Sequence, residues 1–266
     1  MRYGFIGCGN MGGAVARAVC RGVGPENVAL ANRTPAKAEA LAEALGCRAA
    51  TNDVVAQDCD VIFLGVKPQM MADMLAGIAP ILAKRSGRFV LVTMAAGLSM
   101  ARVREMAGGA YPIIRIMPNT PVAVGAGMTQ YCCNGLVSDA MEAAFLAAMA
   151  PSGRLDALEE RLMDAASALS GCGPAYMYLF LEALADGAVA CGIPRAKAME
   201  YAAATMAGAA KMVQETGLHP GALKDAVCSP GGSTIAGVRV LEQHGFRGAA
   251  MDCVAAAYEK NQKLGK

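Results

Sequence analysis

The sequence predicts an α/β fold: a doubly wound parallel sheet followed by an all-α C-terminal domain. Three observations point there. A glycine-rich turn, Gly7-Cys8-Gly9-Asn10-Met11-Gly12, follows the first apolar run. Short apolar runs then alternate with Ala-rich helical stretches through the first half. Beyond Glu159 almost only helical patterns remain.

Apolar runs at Tyr3–Ile6, Val28–Ala31, Val61–Val66, Phe89–Thr93 and Ile113–Met117 have the length of buried strands. Gly13–Arg21, Pro35–Leu45, Gln69–Ala83 and Ser138–Ala150 read as helices, and Gly153–Leu158 as a short closing strand. The breakers Gly171-Cys172-Gly173-Pro174, Gly192-Ile193-Pro194, His219-Pro220-Gly221 and Ser229–Gly232 divide the remainder into helices. The predicted domains are therefore 1–158, of Rossmann type, and 159–266, all-helical.

A composition 55% hydrophobic and 17% charged belongs to a globular chain, not a disordered one. A net charge of +2, few aromatic residues and no Trp argue against nucleic acid and against an anionic membrane surface as partners. The stretch Ala175–Gly192 is strongly apolar, but Glu182 and Asp186 interrupt it, which predicts a buried helix and no membrane span. Ten cysteines form no C-x-x-C pair, and only two histidines are present, which points to small hydrophobes in a reducing cytoplasm and no metal site. The apolar run at the start is too short for a signal peptide.

The glycine turn fits G-x-G-x-x-G between a strand and a helix, the context that gives the pattern meaning. Gly7 permits the tight turn, Gly9 lets a pyrophosphate approach the backbone, and Gly12 lets helix and strand pack closely. At the end of the second strand, where an NAD-binding unit places a carboxylate, the chain has Asn32-Arg33-Thr34, followed by Lys37. An Arg with an amide and a hydroxyl suits a 2′-phosphate, so NADP(H) is preferred, with NAD(H) as the second candidate. A solvated loop charge is the alternative for Arg33. Val66-Lys67-Pro68 and Ala95-Ala96-Gly97 follow two later strands, where open α/β sheets bind ligands, and Asn52 is placed to reach a ribose.

In one order the chain carries "GFIGCGNMG", "NRT", "VKP", "AAG", "MPNTP" at Met117–Pro121, "GCGPAY" at Gly171–Tyr176 and "HPGALKD…SPGGST" from His219. Together these resemble the pyrroline-5-carboxylate reductase family over essentially the whole chain. The resemblance implies reduction of 1-pyrroline-5-carboxylate to L-proline, the last step of proline biosynthesis. It implies a helical domain that binds substrate and pairs two copies, with further assembly into a decamer. Carried over, the cofactor positions are Ile6 to Met11, Asn32, Arg33, Asn52, Val66 to Pro68 and Ala95 to Gly97. The substrate positions are Glu160, Ser233 and Thr234. Three residues depart from the family pattern: Cys172 stands where Ser is common, Ser233 where Ala is frequent, and Ala226 where some members have Asn.

Hydride transfer to a protonated cyclic imine asks mainly for positioning, which suits a chain with no evident triad. The turn Ser229–Thr234 opens a helix and offers N–H groups and hydroxyls to the substrate carboxylate, with Gly231 and Gly232 clearing the approach. Thr234 is the candidate catalytic hydroxyl, and Ser229, Gly232, Ser233 and Glu160 are candidate substrate contacts. Glu160 reads equally well as a solvated carboxylate in a first helical turn, and "MPNTP" as a rigid strand exit. Three other functions stay open on the sequence: reduction of another cyclic imino acid, a β-hydroxyacid dehydrogenase activity, and a noncatalytic NADPH sensor.

Overall fold

The apolar runs of the first half become a sheet. In the computed structural model, which describes residues 1–264, β1 (Tyr3–Ile6), β2 (Val28–Ala31), β3 (Arg48–Ala49), β4 (Val61–Leu64), β5 (Val90–Thr93), β6 (Ile113–Pro118), β7 (Gly127–Cys133) and β8 (Gly153–Ala157) pair in the order β3-β2-β1-β4-β5-β6-β7-β8. The strands from β3 through β6 run parallel. This order reverses between β1 and β4, and such a switch point opens a crevice at the carboxyl ends of the strands. The chain then turns back: β7 is antiparallel to β6, and β8 is parallel to β7.

Strand alternation sends side chains to two apolar layers. On one side Phe5 and Phe63 stack with ring centroids 4.4 Å apart, in a cluster that includes Val15 and Val19 of α1 (Asn10–Val23). On the other, Ile62 and Leu64 share a cluster with Leu75, Ile78 and Leu82. These last three lie on α4 (Met71–Lys84), at the i, i+3, i+7 spacing of one helix face. The remaining helices of this half are α2 (Pro35–Leu45), α3 (Asn52–Asp58), α5 (Met100–Ala107), α6 (Asp139–Met149) and α7 (Met163–Ala166). The C-terminal half holds α8 (Gly173–Ala190), α9 (Arg195–Thr216), α10 (Pro220–Ala226), α11 (Ser233–Gln243) and α12 (Phe246–Leu264).

The chain divides into two compact units. Residues 1–172 and 257–264 form the first, and Gly173–Ala256 the second. The first unit thus runs past residue 158. It carries α7 and a π-helical turn at Ser167–Gly171, and it takes in the last turns of α12.

Several expectations need correction. β7 lies where no strand was expected. Its sequence interrupts apolar residues with Thr129 and Gln130, yet both are buried, because hydrogen-bonded neighbours flank the strand on either side. The first helix begins at Asn10 and not at Gly13, directly on the glycine turn. Pro68–Met70 forms a separate 3₁₀ turn ahead of α4. The helix expected to be buried, α8, is not: only Ala185 is buried, and Tyr178 and Leu179 are 59% and 70% exposed. Phe180 packs on Phe246, with ring centroids 5.4 Å apart, but Met177, Tyr178, Leu179 and Leu184 stay exposed on the single chain. Among the described residues no helix is long and apolar enough to cross a membrane.

Candidate active site

Three glycines make the joint on which the first site rests. Gly7 has φ +103°, and a Cβ there would meet the Gly65 carbonyl at 2.7 Å. A Cβ on Gly12 would lie 2.1 Å from the Gly7 carbonyl oxygen. Backbone thus packs on backbone where β1, α1 and the end of β4 converge. Gly9 differs, because a Cβ there would meet nothing within 4 Å. What its missing side chain leaves open is space for a ligand. Gly9 also caps α1 without a side-chain acceptor, and no acidic residue occupies the first turn. The first N–H groups of α1 and its positive dipole end are therefore left for an anion.

Asn32 ties this turn to the next. The Cys8 N–H donates to Asn32 Oδ1 at 3.1 Å, and Asn32 Nδ2 donates to the Thr34 carbonyl oxygen at 3.1 Å. Both ends of the amide are engaged within the protein, so Asn32 acts first as a brace between the glycine turn and the Arg33-Thr34 turn.

Ile6, Gly7, Gly9, Asn32, Arg33, Thr34, Asn52, Val66 and Lys67 line one cavity of about 460 Å³. Lys37, Gly65, Met70, Asp73 and Met74 complete its wall. Arg33, Lys37 and Lys67 face a single carboxylate, Asp73, which leaves the cavity cationic. The guanidinium of Arg33 reaches Met70 Sδ at 3.7 Å. Sequence reasoning missed Met70, Asp73 and Met74. Their signal was present: Met70 and Met74 are four residues apart, immediately after the Lys67-Pro68 turn.

Other expected cofactor residues lie off this cavity. Cys8 and Asn10 line a neighbouring cavity of about 560 Å³ that also includes Arg17 and Lys37. Met11 and Gly12 belong to the first turn of α1, and Pro68 opens the 3₁₀ turn. Ala95, Ala96 and Gly97 form the turn after β5, where Gly97 has φ +76° and Ala95 is buried.

Glu160 occupies a structural position. Its Oε1 accepts the Met100 N–H at 2.7 Å and lies 3.5 Å from Arg115 Nη1. Arg115 is 3% exposed and places Nη2 2.6 Å from Asp164 Oδ1. Glu160 thus holds the start of α5 and half-neutralises a buried cation on β6. In "MPNTP", Asn119 is likewise spoken for: Oδ1 accepts the Met128 N–H at 2.9 Å, and Nδ2 donates to the Ser170 carbonyl oxygen at 3.1 Å. Rigid strand exit is the role these bonds support.

The turn Ser229–Thr234 belongs to the second unit. The Gly232 N–H donates to the Ser229 carbonyl oxygen at 3.0 Å, and a Cβ on Gly232 would meet Ser229 Oγ at 2.4 Å. Gly231 has φ +69°. Gly232 caps α11 without a side-chain acceptor, and Ser233 and Thr234 are the first two helical residues, both exposed. Their hydroxyls and the free N–H groups of the first turn form a second anion-receptive helix start.

Comparison with known proteins agrees with a two-part chain. Residues 160–264 match the family model described as pyrroline-5-carboxylate reductase dimerisation, and residues 2–97 match one described as NADP oxidoreductase, coenzyme F420-dependent. The chain is 43% identical to the pyrroline-5-carboxylate reductase of Escherichia coli K12, over all of its own length and 98% of the relative's. It is 40% identical to that of Glycine max, over 98% of the chain and 95% of the relative. The structure of Plasmodium falciparum pyrroline carboxylate reductase with NADP bound superposes with a TM-score of 0.90 at 32% identity. That match covers 100% of this chain and 98% of the other.

Proposed function

The chain belongs to the pyrroline-5-carboxylate reductase family, and from that membership we propose that it reduces 1-pyrroline-5-carboxylate to L-proline with NADPH as preferred reductant. The observation that carries the cofactor choice is the cationic lining of this cavity, in which Arg33 and Lys37 after β2 and Lys67 after β4 outnumber Asp73, and the turn Asn32–Thr34 that follows β2 holds no carboxylate for a ribose hydroxyl. The solved Plasmodium relative with NADP bound supports the same reading.

Bound NADPH supplies the hydride that reduces the carbon–nitrogen double bond. The chain's own residues do the rest. The start of α1 holds the pyrophosphate through Gly9, Asn10 and Met11, with Gly12 packed behind. Arg33 and Thr34 hold the 2′-phosphate, braced by Asn32, and Asn52 faces the adjoining ribose. Val66, Lys67 and Pro68, with Ala95, Ala96 and Gly97, bound the nicotinamide half. Ser229, Gly232, Ser233 and Thr234 receive the substrate carboxylate on the start of α11, and the Thr234 hydroxyl serves the ring nitrogen. An imine that arrives protonated needs no general acid, which fits a site without histidine.

Arg33→Ala is expected to raise KM for NADPH about 10-fold or more while leaving KM for NADH nearly unchanged, because a charge-assisted contact to phosphate contributes roughly 1.5–3 kcal/mol. Equal losses with both cofactors would move the 2′-phosphate elsewhere. Thr234→Ala is expected to raise KM for the imine about 10-fold with KM for NADPH unchanged. A matching rise for NADPH would overturn the division between the two turns. The decisive assay follows nicotinamide absorbance with pyrroline-5-carboxylate and each reductant. Absence of turnover with both would favour a noncatalytic sensor, and turnover only with a six-membered cyclic imino acid would shift the substrate.

We place the enzyme in the cytoplasm as a homodimer that assembles further into a decamer. The helical unit supports pairing: Tyr178 and Leu179 of α8, Tyr201 of α9, and Val240 of α11 are exposed on the single chain. Another copy of the same helices is the surface that would cover them. A monomer mass by light scattering at micromolar protein would contradict this.

A further inference from the structure

One wall of the dinucleotide cavity has no part in the roles given above. The start of α1 takes the pyrophosphate, Arg33 and Thr34 the 2′-phosphate, and Asn52 the adjoining ribose. The heterocyclic base carried by that ribose still needs a seat. The lining without a role includes Met70, Asp73 and Met74. Met70 caps α4, and the i, i+3, i+4 spacing puts all three on one side of that helix. The neighbouring side carries Met71, Leu75, Ile78 and Leu82 into the core. The helix is thus anchored by one face and lends the other to the cavity.

We propose that Met70, Asp73 and Met74 form the base site for the dinucleotide, and that Asp73 selects adenine by accepting a hydrogen bond from its exocyclic amino group. The inference rests on the dinucleotide reading above and adds the base to it. Two thioethers make a polarisable, adaptable bed for a flat ring. Met74 is half-buried and packs against the apolar cluster that holds Leu75 and Ile78, which fixes its stem. Arg33 supplies the facing wall, with Nη1 3.7 Å from Met70 Sδ. Both side chains are long and unbranched, so a ring can part them and stack on the guanidinium.

Charge supplies the selectivity. Asp73 is the one carboxylate in a lining that also holds Arg33, Lys37 and Lys67. It is exposed, and among the described residues its side chain has no hydrogen-bond or ion-pair partner. A carboxylate in a cavity built for phosphates opposes the ligand's own charge, so it calls for a donor on the ligand to offset that. Adenine carries one: its exocyclic amino group donates, whereas hypoxanthine and guanine present a carbonyl oxygen at the same place. An ionised carboxylate only accepts, so it binds the first and repels the others. A carboxylate in the first turn also favours the α4 dipole, but that contribution is the same whichever base is bound.

The test is fluorescence titration of the full-length protein with NADPH, NADH and the hypoxanthine analogue of each. The unmodified protein is expected to bind each adenine form about 10-fold more tightly than its hypoxanthine counterpart. Asp73→Asn should bring both ratios close to one, because an amide can accept from an amino group and donate to a carbonyl oxygen. Met70→Ala should weaken every dinucleotide about 3-fold and leave the ratios as they are. Equal affinity of the unmodified protein for the two bases would overturn the proposal. So would an Asp73→Asn protein in which NADPH gains on NADH while the base ratio stays put, the mark of a charge felt only at a distance. A base ratio as expected, with no turnover of pyrroline-5-carboxylate, would count against the reductase reading and leave the base site standing.

Discussion

Gly12→Ala is expected to weaken NADPH binding about 100-fold and to lower thermal stability with it. A methyl at this position would sit 2.1 Å from the Gly7 carbonyl oxygen, far inside contact distance. The opposing atom is backbone, and Gly7 itself is pressed against Gly65, so the strain has no flexible side chain to absorb it. Forcing extra volume into such a joint costs about 3 kcal/mol, and a 100-fold change in affinity is about 2.7 kcal/mol. Gly9→Ala is the informative partner. Nothing in the protein lies within 4 Å of a methyl there, so the melting temperature should hold while NADPH affinity falls. Fluorescence titration with NADPH beside a thermal melt separates the two. A folded Gly12→Ala protein with undiminished NADPH affinity would refute the placement of the pyrophosphate on this turn.

Arg115→Met is expected to cost about 3 kcal/mol of stability, a fall in Tm of roughly 6–12 °C. The guanidinium is buried on β6, with Asp164 at 2.6 Å and Glu160 at 3.5 Å. Removing the cation leaves two carboxylates facing each other's field without their partner. Both are about a third exposed, at 32% and 31%, so solvent offsets part of the loss, and the lower end of the range for a broken buried pair applies. The triple variant Arg115→Met, Glu160→Gln, Asp164→Asn should recover much of the difference, because it removes the charges together. A single variant as stable as the parent would mean that the network contributes nothing.

Sequence legibility tracked whether an element's signal was local. The strands β1, β2, β4, β5 and β6 are short continuous apolar runs, and they appear where periodicity puts them. β7 was hidden because Thr129 and Gln130 are buried by neighbouring strands that no local pattern announces. α8 was misjudged because its composition speaks of burial and the single chain covers only part of it, leaving Met177, Tyr178, Leu179 and Leu184 exposed. The glycine turn and the Asn32–Lys37 stretch were legible as motifs, since backbone freedom and charge are written in residue type. What Asn32 does with its amide was not, because both of its partners are fixed by the turn geometry. Glu160 was ambiguous for the same reason: Arg115 is forty-five residues earlier in the chain, and only the fold brings them together.

The division of the chain has a bearing on its synthesis. Asn261 Nδ2 donates to the Asp164 carbonyl oxygen at 3.1 Å, and residues 257–264 belong to the first unit. That unit therefore begins to form on the ribosome as β1 through β8 emerge, yet it closes only after all of the helical unit has been made. Meanwhile α8, α9 and α11 are released with apolar side chains such as Leu179, Tyr201 and Val240 exposed, the state in which chains aggregate. The nascent protein should thus lean on chaperones late in translation rather than early.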